Sequence, residues 1–172
     1  MESYKIKLQK VNTFIFDVDG VFTNGQIILH NQELLRSFNA KDGYAVQYAV
    51  KMGYRIFIIT GGDSNEVKRS LLNLGATEVH LQSRNKLDVF KDIIKRHNIK
   101  EDETLYMGDD IPDLPCLKEV AVASCPSDAS VEIREVCDYI SHIEGGKGCV
   151  RDVLEQTMRI QNKWMDDDAY SW

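Results

Sequence analysis

The sequence predicts an α/β fold: a doubly wound, mostly parallel sheet with helices on both faces. Short apolar, β-prone runs alternate with amphipathic stretches along most of the chain, the pattern of successive βα units. The apolar runs are continuous, as in Phe14-Ile15-Phe16, which suits a strand buried on both faces. Charged residues collect where those runs stop, above all at Asp17-Val18-Asp19-Gly20. Open sheets of this Rossmann-like kind bind ligands at the carboxyl ends of their strands.

The first strand is Phe14–Phe16, and the two acids mark its end. Residues 25–38 break the alternation: Gly25–His30 and Glu33–Phe38, joined at Asn31-Gln32, read as an inserted β-hairpin. Gly43–Met52 is a helix with Tyr44, Tyr48 and Met52 on one face. Arg55–Thr60 is a strand that stops at Thr60-Gly61-Gly62, and Ser64–Leu74 is the helix after it. Val79–Leu81 is a short strand. Lys86–His97 is a helix with Leu87, Phe90, Ile93 and Ile94 in one stripe. Thr104–Met107 is a strand ending at Gly108-Asp109-Asp110. The remaining units are the helices Asp113–Lys118, Ala129–Glu135 and Val150–Asn162 and the strands Val120–Ala123 and Tyr139–Ile140. One domain over residues 1–163 is expected, with a tail at 164–172. The tail lacks a helical stripe, holds Asp166, Asp167 and Asp168, and has both tryptophans, Trp164 and Trp172, at its ends. It reads either as a frayed terminus or as a lid whose aromatics face a site.

Bulk properties narrow the partners. A chain of 172 residues with net charge -6 argues against nucleic acid or an anionic membrane as a main partner. Cys116, Cys125, Cys137 and Cys149 contain no CxxC pair, so zinc and disulfides are not expected. With no membrane-length apolar stretch and no signal-peptide core, a cytoplasmic location is expected.

Three strand ends deliver acids and a hydroxyl, and the head of a helix adds an ammonium, at one edge of the sheet. The groups are Asp17 and Asp19, then Thr60 with Gly61, then Lys86, then Asp109, Asp110 and Asp113. This set suits phosphoryl transfer, which needs cations and donors around a charged group in flight. Asp17 and Asp109 on neighbouring strands would hold Mg²⁺, a hard cation that prefers carboxylate oxygens. Asp17 is then placed as a nucleophile, and Asp19 as general acid and base at the leaving oxygen.

Asp17-Val18-Asp19-Gly20-Val21, Thr60-Gly61, Lys86 and Gly108-Asp109-Asp110 with Asp113, in that order, resemble the haloacid dehalogenase superfamily of phosphohydrolases. The resemblance implies Asp17 as nucleophile and metal ligand, and Asp19 as acid/base with its backbone carbonyl on the metal. It implies Thr60, Gly61 and Lys86 at the phosphoryl group, Asp109 on Mg²⁺, and Asp110 and Asp113 in support. The intervals from Asp19 to Thr60 and from Thr60 to Lys86 leave no room for a cap domain. Specificity would then have to come from another subunit. Phe38-Asn39-Ala40-Lys41-Asp42-Gly43-Tyr44, the hairpin, and Gly145-Gly146-Lys147-Gly148 through Arg151-Asp152 resemble the 3-deoxy-D-manno-octulosonate 8-phosphate (KDO 8-phosphate) phosphatase family. That family implies a homotetramer with a neighbouring subunit completing each site, and a phosphorylated sugar acid of lipopolysaccharide synthesis as substrate. Arginines usual in that family are replaced by Gly62 and Ser70. Lys68, Arg69 and Arg151 are therefore the expected sugar-acid binders, and phosphatases of the nine-carbon acid KDN 9-phosphate stay as an alternative. Other classes are a phospho-receiver domain, whose motif order differs, and a non-catalytic oligomerisation module, against which the intact acids argue.

Overall fold

The computed structural model describes residues 3–30 and 33–171. Its first elements are α1 (Tyr4–Leu8), β1 (Thr13–Phe16), β2 (Ile28–His30), β3 (Glu33–Leu35), α2 (Ala40–Lys51), β4 (Arg55–Ile59), α3 (Asn65–Asn73) and β5 (Glu78–His80). There follow α4 (Lys86–Arg96), β6 (Thr104–Met107), α5 (Leu114–Leu117), β7 (Val122–Cys125), α6 (Val131–Arg134), β8 (Tyr139–Ile140) and α7 (Cys149–Ile160). Six strands form one sheet in the order β5-β4-β1-β6-β7-β8, and every neighbouring pair is parallel.

Alternation along the strands explains why their apolar runs are unbroken. Phe14, Phe16, Ile56, Ile58, Leu105 and Met107 pack with Val46 of α2, Leu71 of α3 and Leu154 of α7. Ile15, Phe57, Ile59 and Tyr106 join the opposite core with Phe90 and Ile93 of α4 and Leu117 of α5. From β1 the chain winds outward through β4 and β5, then crosses back to β6 on the other side. The winding therefore reverses between β1 and β6, and the loops after those strands part into a crevice. Asp17 follows β1 and Asp109 follows β6, so both acids stand at that crevice.

The hairpin forms as predicted, although its strands are shorter. Ile28 pairs with Leu35 and Leu29 with Leu34 in a two-stranded sheet apart from the main one. The predicted turn at Asn31-Gln32 lies outside the described residues. Between β1 and β4 the described chain holds only the hairpin and α2, and between β4 and α4 only α3 and β5. Among the described residues there is no cap domain.

Several element boundaries differ from expectation, and one helix is additional. β7 starts two residues later than Val120–Ala123, because Ser124 and Cys125 are small enough to continue the buried strand, with Met107 paired to Ser124. α2 starts at Ala40, where the Asn39 side chain accepts a hydrogen bond from the Lys41 N–H at 2.9 Å. α6 keeps only Val131–Arg134 of the predicted Ala129–Glu135. α1 was not predicted at all, since one turn of helix leaves no periodic stripe; it is held by buried Leu8 and by Tyr4 against Tyr139 at 5.1 Å.

The tail is docked. Trp164 packs edge-on against Tyr48 at 5.5 Å, and the guanidiniums of Arg151 and Arg159 lie 5.4 and 5.8 Å from its ring. The Asp166 N–H donates to the Tyr48 hydroxyl at 3.0 Å, and the Tyr44 hydroxyl donates to the Ala169 carbonyl. Residues 164–171 thus lie on α2 of their own chain, and Trp172 is outside the described residues.

Candidate active site

The alternation that turns Ile15 and Tyr106 toward α4 also turns Asp17 that way. Lys86 opens α4, and its ammonium lies 2.9 Å from Asp17 Oδ2 and 2.7 Å from Asp113 Oδ1. Asp113 is fully buried and accepts from the Tyr106 hydroxyl at 2.7 Å and from the Asp109 N–H at 3.2 Å. Asp110 and Asp113 form a reciprocal capping box at the short turn before α5. Asp113 is thus a hub that fixes Lys86 and the loop carrying Asp109.

Two glycines in the predicted motifs are explained by close approach. Gly20 has φ of +88°, and a Cβ there would fall 2.0 Å from Asp109 Oδ2. A Cβ on Gly108 would fall 2.3 Å from Asp113 Cγ. Any side chain at either place would push an acid out of the cluster. The Gly145-Gly146 backbone serves differently, lying against this same loop with the Gly146 N–H donating to the Val21 carbonyl at 2.9 Å.

Asp19 faces away from Lys86 and pairs with Arg36, just after β3. Arg36 Nε lies 2.7 Å from Asp19 Oδ1 and Nη2 lies 3.1 Å from Asp19 Oδ2, a two-pronged contact. Beside it the buried Thr60 Oγ1 accepts from the Gly62 N–H at 3.1 Å, and Gly61 is exposed at the turn. Asp19, Thr60, Gly62 and Arg36 line one small pocket.

The structure thus brings together Asp17, Lys86, Asp109, Asp110 and Asp113, with Asp19 and Thr60 alongside. It does not bring Lys68, Arg69 or Arg151 to them. Lys68 and Arg69 project from α3, half-buried and exposed. Arg151 lies between the rings of Tyr44 and Trp164 and 3.4 Å from Glu155. Sequence reasoning missed Arg36 and Tyr106. The signal for Tyr106 was a hydroxyl inside an otherwise apolar central strand. For Arg36 it was a cation interrupting the hairpin's apolar residues between Leu35 and Phe38.

The electrostatics test whether a metal fits. Asp17, Asp109 and Asp113 can each offer an oxygen within 4.8 Å of the others. Asp113 is already occupied by Lys86 and Tyr106, which leaves Asp17 and Asp109. Burial, then the Asp113 charge, push Asp17 up to about 8 and Asp109 up to about 7, although Lys86 pulls both down. Burial alone would lower the Lys86 ammonium, but Asp17 and Asp113 outweigh it and raise it. One ammonium therefore does not neutralise three acids. An oxygen-only donor set with uncompensated negative charge fits a hard divalent cation, which would displace the protons.

A family model for haloacid dehalogenase-like hydrolases matches residues 40–120, from the start of α2 almost to β7. The 3-deoxy-D-manno-octulosonate 8-phosphate phosphatase of Salmonella typhi is 33% identical over 158 residues, covering 91% of this chain and 84% of that protein. The crystal structure of the phosphatase of that name from Moraxella catarrhalis holds a magnesium ion, a phosphate ion and a KDO molecule. It matches with a TM-score of 0.90 at 31% identity, over 93% of this chain and 92% of that one. The cobalt-bound enzyme of Haemophilus influenzae matches with a TM-score of 0.89 at 26% identity, over 95% and 98%. With this crevice and these relatives, the chain belongs to the haloacid dehalogenase-like hydrolases, in the family of 3-deoxy-D-manno-octulosonate 8-phosphate phosphatases.

Proposed function

We propose that this chain is a magnesium-dependent phosphatase that hydrolyses KDO 8-phosphate to KDO and inorganic phosphate, in lipopolysaccharide precursor synthesis. The observation that carries the reading is the buried Asp17–Lys86–Asp113 array beside Asp109 at the crevice between β1 and β6. The relatives' substrate supports the choice of sugar acid. None of the relatives described above bears the name of a nine-carbon-acid phosphatase.

Asp17, Asp109 and the backbone carbonyl of Asp19 would hold Mg²⁺, which when bound supplies positive charge beside the phosphoryl oxygens. Lys86 and Thr60, with the backbone at Gly61, hold the remaining phosphoryl oxygens. An Asp17 carboxylate oxygen attacks phosphorus, and the bond from phosphorus to the sugar oxygen breaks. Asp19 gives its proton to that leaving oxygen. The products are the free sugar acid and an aspartyl phosphate on Asp17. Asp19, now ionised, takes a proton from water as the water oxygen attacks phosphorus. The acyl phosphate bond breaks, phosphate leaves, and both acids return to their starting states. Asp110 and Asp113 position the loop and the lysine and do not touch substrate.

We further propose a homotetramer in which a neighbour completes each open site. The support is the hairpin, whose Ile28 and Leu29 are 60% and 80% exposed. In such an assembly Lys68, Arg69 and Arg151 would bind substrate where they meet a neighbour. A cytoplasmic location is proposed from four free cysteines and the absence, among the described residues, of a helix long and apolar enough to cross a membrane.

Phosphate release should be measured with Mg²⁺ on KDO 8-phosphate, KDN 9-phosphate and common sugar phosphates. We expect kcat/KM for KDO 8-phosphate to exceed that for neutral-sugar phosphates by about 100-fold or more. Equal rates across the panel would overturn the substrate assignment.

A further inference from the structure

The Arg36 contact has a consequence for substrate choice. Its side chain is only 6% exposed, and it engages both oxygens of Asp19. A general acid must carry its proton to the leaving oxygen, and a carboxylate gripped on both oxygens by a guanidinium is not free to do so. Proton transfer from Asp19 to an alkoxide leaving oxygen therefore requires Arg36 to let go. A guanidinium cannot be deprotonated, and one left buried without a partner is expensive. The release needs a replacement anion.

The surroundings indicate where that anion lies. The guanidinium sits over the Thr60-Gly61-Gly62 turn, where a Cβ on Gly62 would fall 3.3 Å from Arg36 Nη2 and 3.5 Å from Asp19 Oδ2. Glycine at 62 leaves the room that this side chain uses. Arg36 also lines a second, larger cleft of about 640 Å³ between the hairpin and α3. One wall is Leu34, Leu35 and Phe38; the other carries Asp63, Ser64, Glu66 and Ser70. Among the described residues lining this cleft, Arg36 is the one cation. The two acids and two serines suit a ligand rich in hydroxyl groups, and would repel a carboxylate anywhere except at Arg36.

We propose that Arg36 determines specificity in this site, exchanging its pair with Asp19 for the carboxylate of a polyhydroxy acid phosphate. In the free protein Asp19 stands in for the substrate's carboxylate. When the acid enters the cleft, the guanidinium turns to it and Asp19 is released for proton transfer. A phosphate ester without a carboxylate gives Arg36 nothing to exchange for, so it is turned over with the latch closed.

The inference rests on the sugar-acid reading, and its test separates the two. Hydrolysis of p-nitrophenyl phosphate with Mg²⁺ is competed by KDO and by its methyl ester, in the natural protein and in Arg36→Gln and Arg36→Lys. The acid should inhibit the natural protein about ten-fold more tightly than the ester. Arg36→Gln should shrink that preference to about two-fold, with Arg36→Lys between. On KDO 8-phosphate, Arg36→Gln should lose about 30-fold in kcat/KM, several times its loss on p-nitrophenyl phosphate. Equal losses on both esters, or an acid preference that survives Arg36→Gln, overturn the proposal. If KDO 8-phosphate is not a substrate yet the acid preference depends on Arg36, the substrate reading fails and the role of the arginine stands.

Discussion

Tyr106 and Asp113 organise the site without reaching its opening. Tyr106 donates to the same Asp113 oxygen that accepts from Lys86, at 2.7 Å in each case. In Tyr106→Phe that oxygen keeps the lysine, so the loss should be one buried hydrogen bond, about 1 kcal/mol in urea unfolding. The lysine would be held less firmly, and kcat should fall about ten-fold with KM within about two-fold. Asp113→Asn should do more, because Lys86 keeps only one of its two carboxylates; about 100-fold in kcat is expected. A KM effect as large as the kcat effect would mean that these residues contact substrate. The acids were legible in the sequence because a charged residue at the end of a buried strand has few structural reasons to be there. Arg36 was not, because its partner is 17 residues away and the pairing depends on how the hairpin folds back.

At the scale of elements, α7 meets α2 through one buried carboxylate. Asp42, in the first turn of α2, accepts from the Arg151 N–H at 2.7 Å and so caps α7, while its second oxygen is buried without a partner. Burial raises Asp42 to about 6, although the Arg151 N–H bond and the Arg151 charge pull it down. The folded state therefore holds this proton more tightly than the unfolded chain does. Its contribution to stability is full below the unfolded value near 4 and is lost as pH rises through about 6. Asp42→Asn keeps the accepting oxygen and removes the titration. Between pH 4 and 7.5 the variant should gain roughly 2–3 kcal/mol relative to the natural protein in urea unfolding. Parallel stability profiles would exclude the buried proton. Elements with a sustained pattern, such as α4 and β4, were legible, whereas α1 and α6 are too short to show a period. The tail could not be read because its hold is tertiary: Trp164 packs edge-on against Tyr48 and Ala169 is buried against α2, neither of which leaves a local pattern.

For the whole molecule, the absence of a cap and the exposed hairpin belong to one problem. A capless crevice admits water, and nothing within the described chain covers the hydroxyl-bearing end of a sugar. Meanwhile β2 and β3 form a two-stranded sheet outside the main sheet, with Ile28, Leu29, Leu34 and Leu35 all exposed. Such a ribbon is marginal in water on its own, and an apolar one lowers its free energy by packing against copies of itself. A closed symmetric ring of hairpins would bury these side chains and bring each hairpin's base, with Arg36, beside a neighbour's surface. Leu29→Glu places a charge on the most exposed of the four, and symmetry repeats it in every copy. Sedimentation should show a mass near four chains for the natural protein and a smaller species for the variant. The thermal midpoint of the main fold should move little, since the hairpin adds no strand to the six-stranded sheet. On KDO 8-phosphate kcat/KM should fall about ten-fold or more, with a smaller loss on p-nitrophenyl phosphate, because a small aryl ester needs less from a neighbour. A natural protein that sediments as a single chain at working concentration, or a variant that keeps full mass and full specificity, would leave the hairpin without this role.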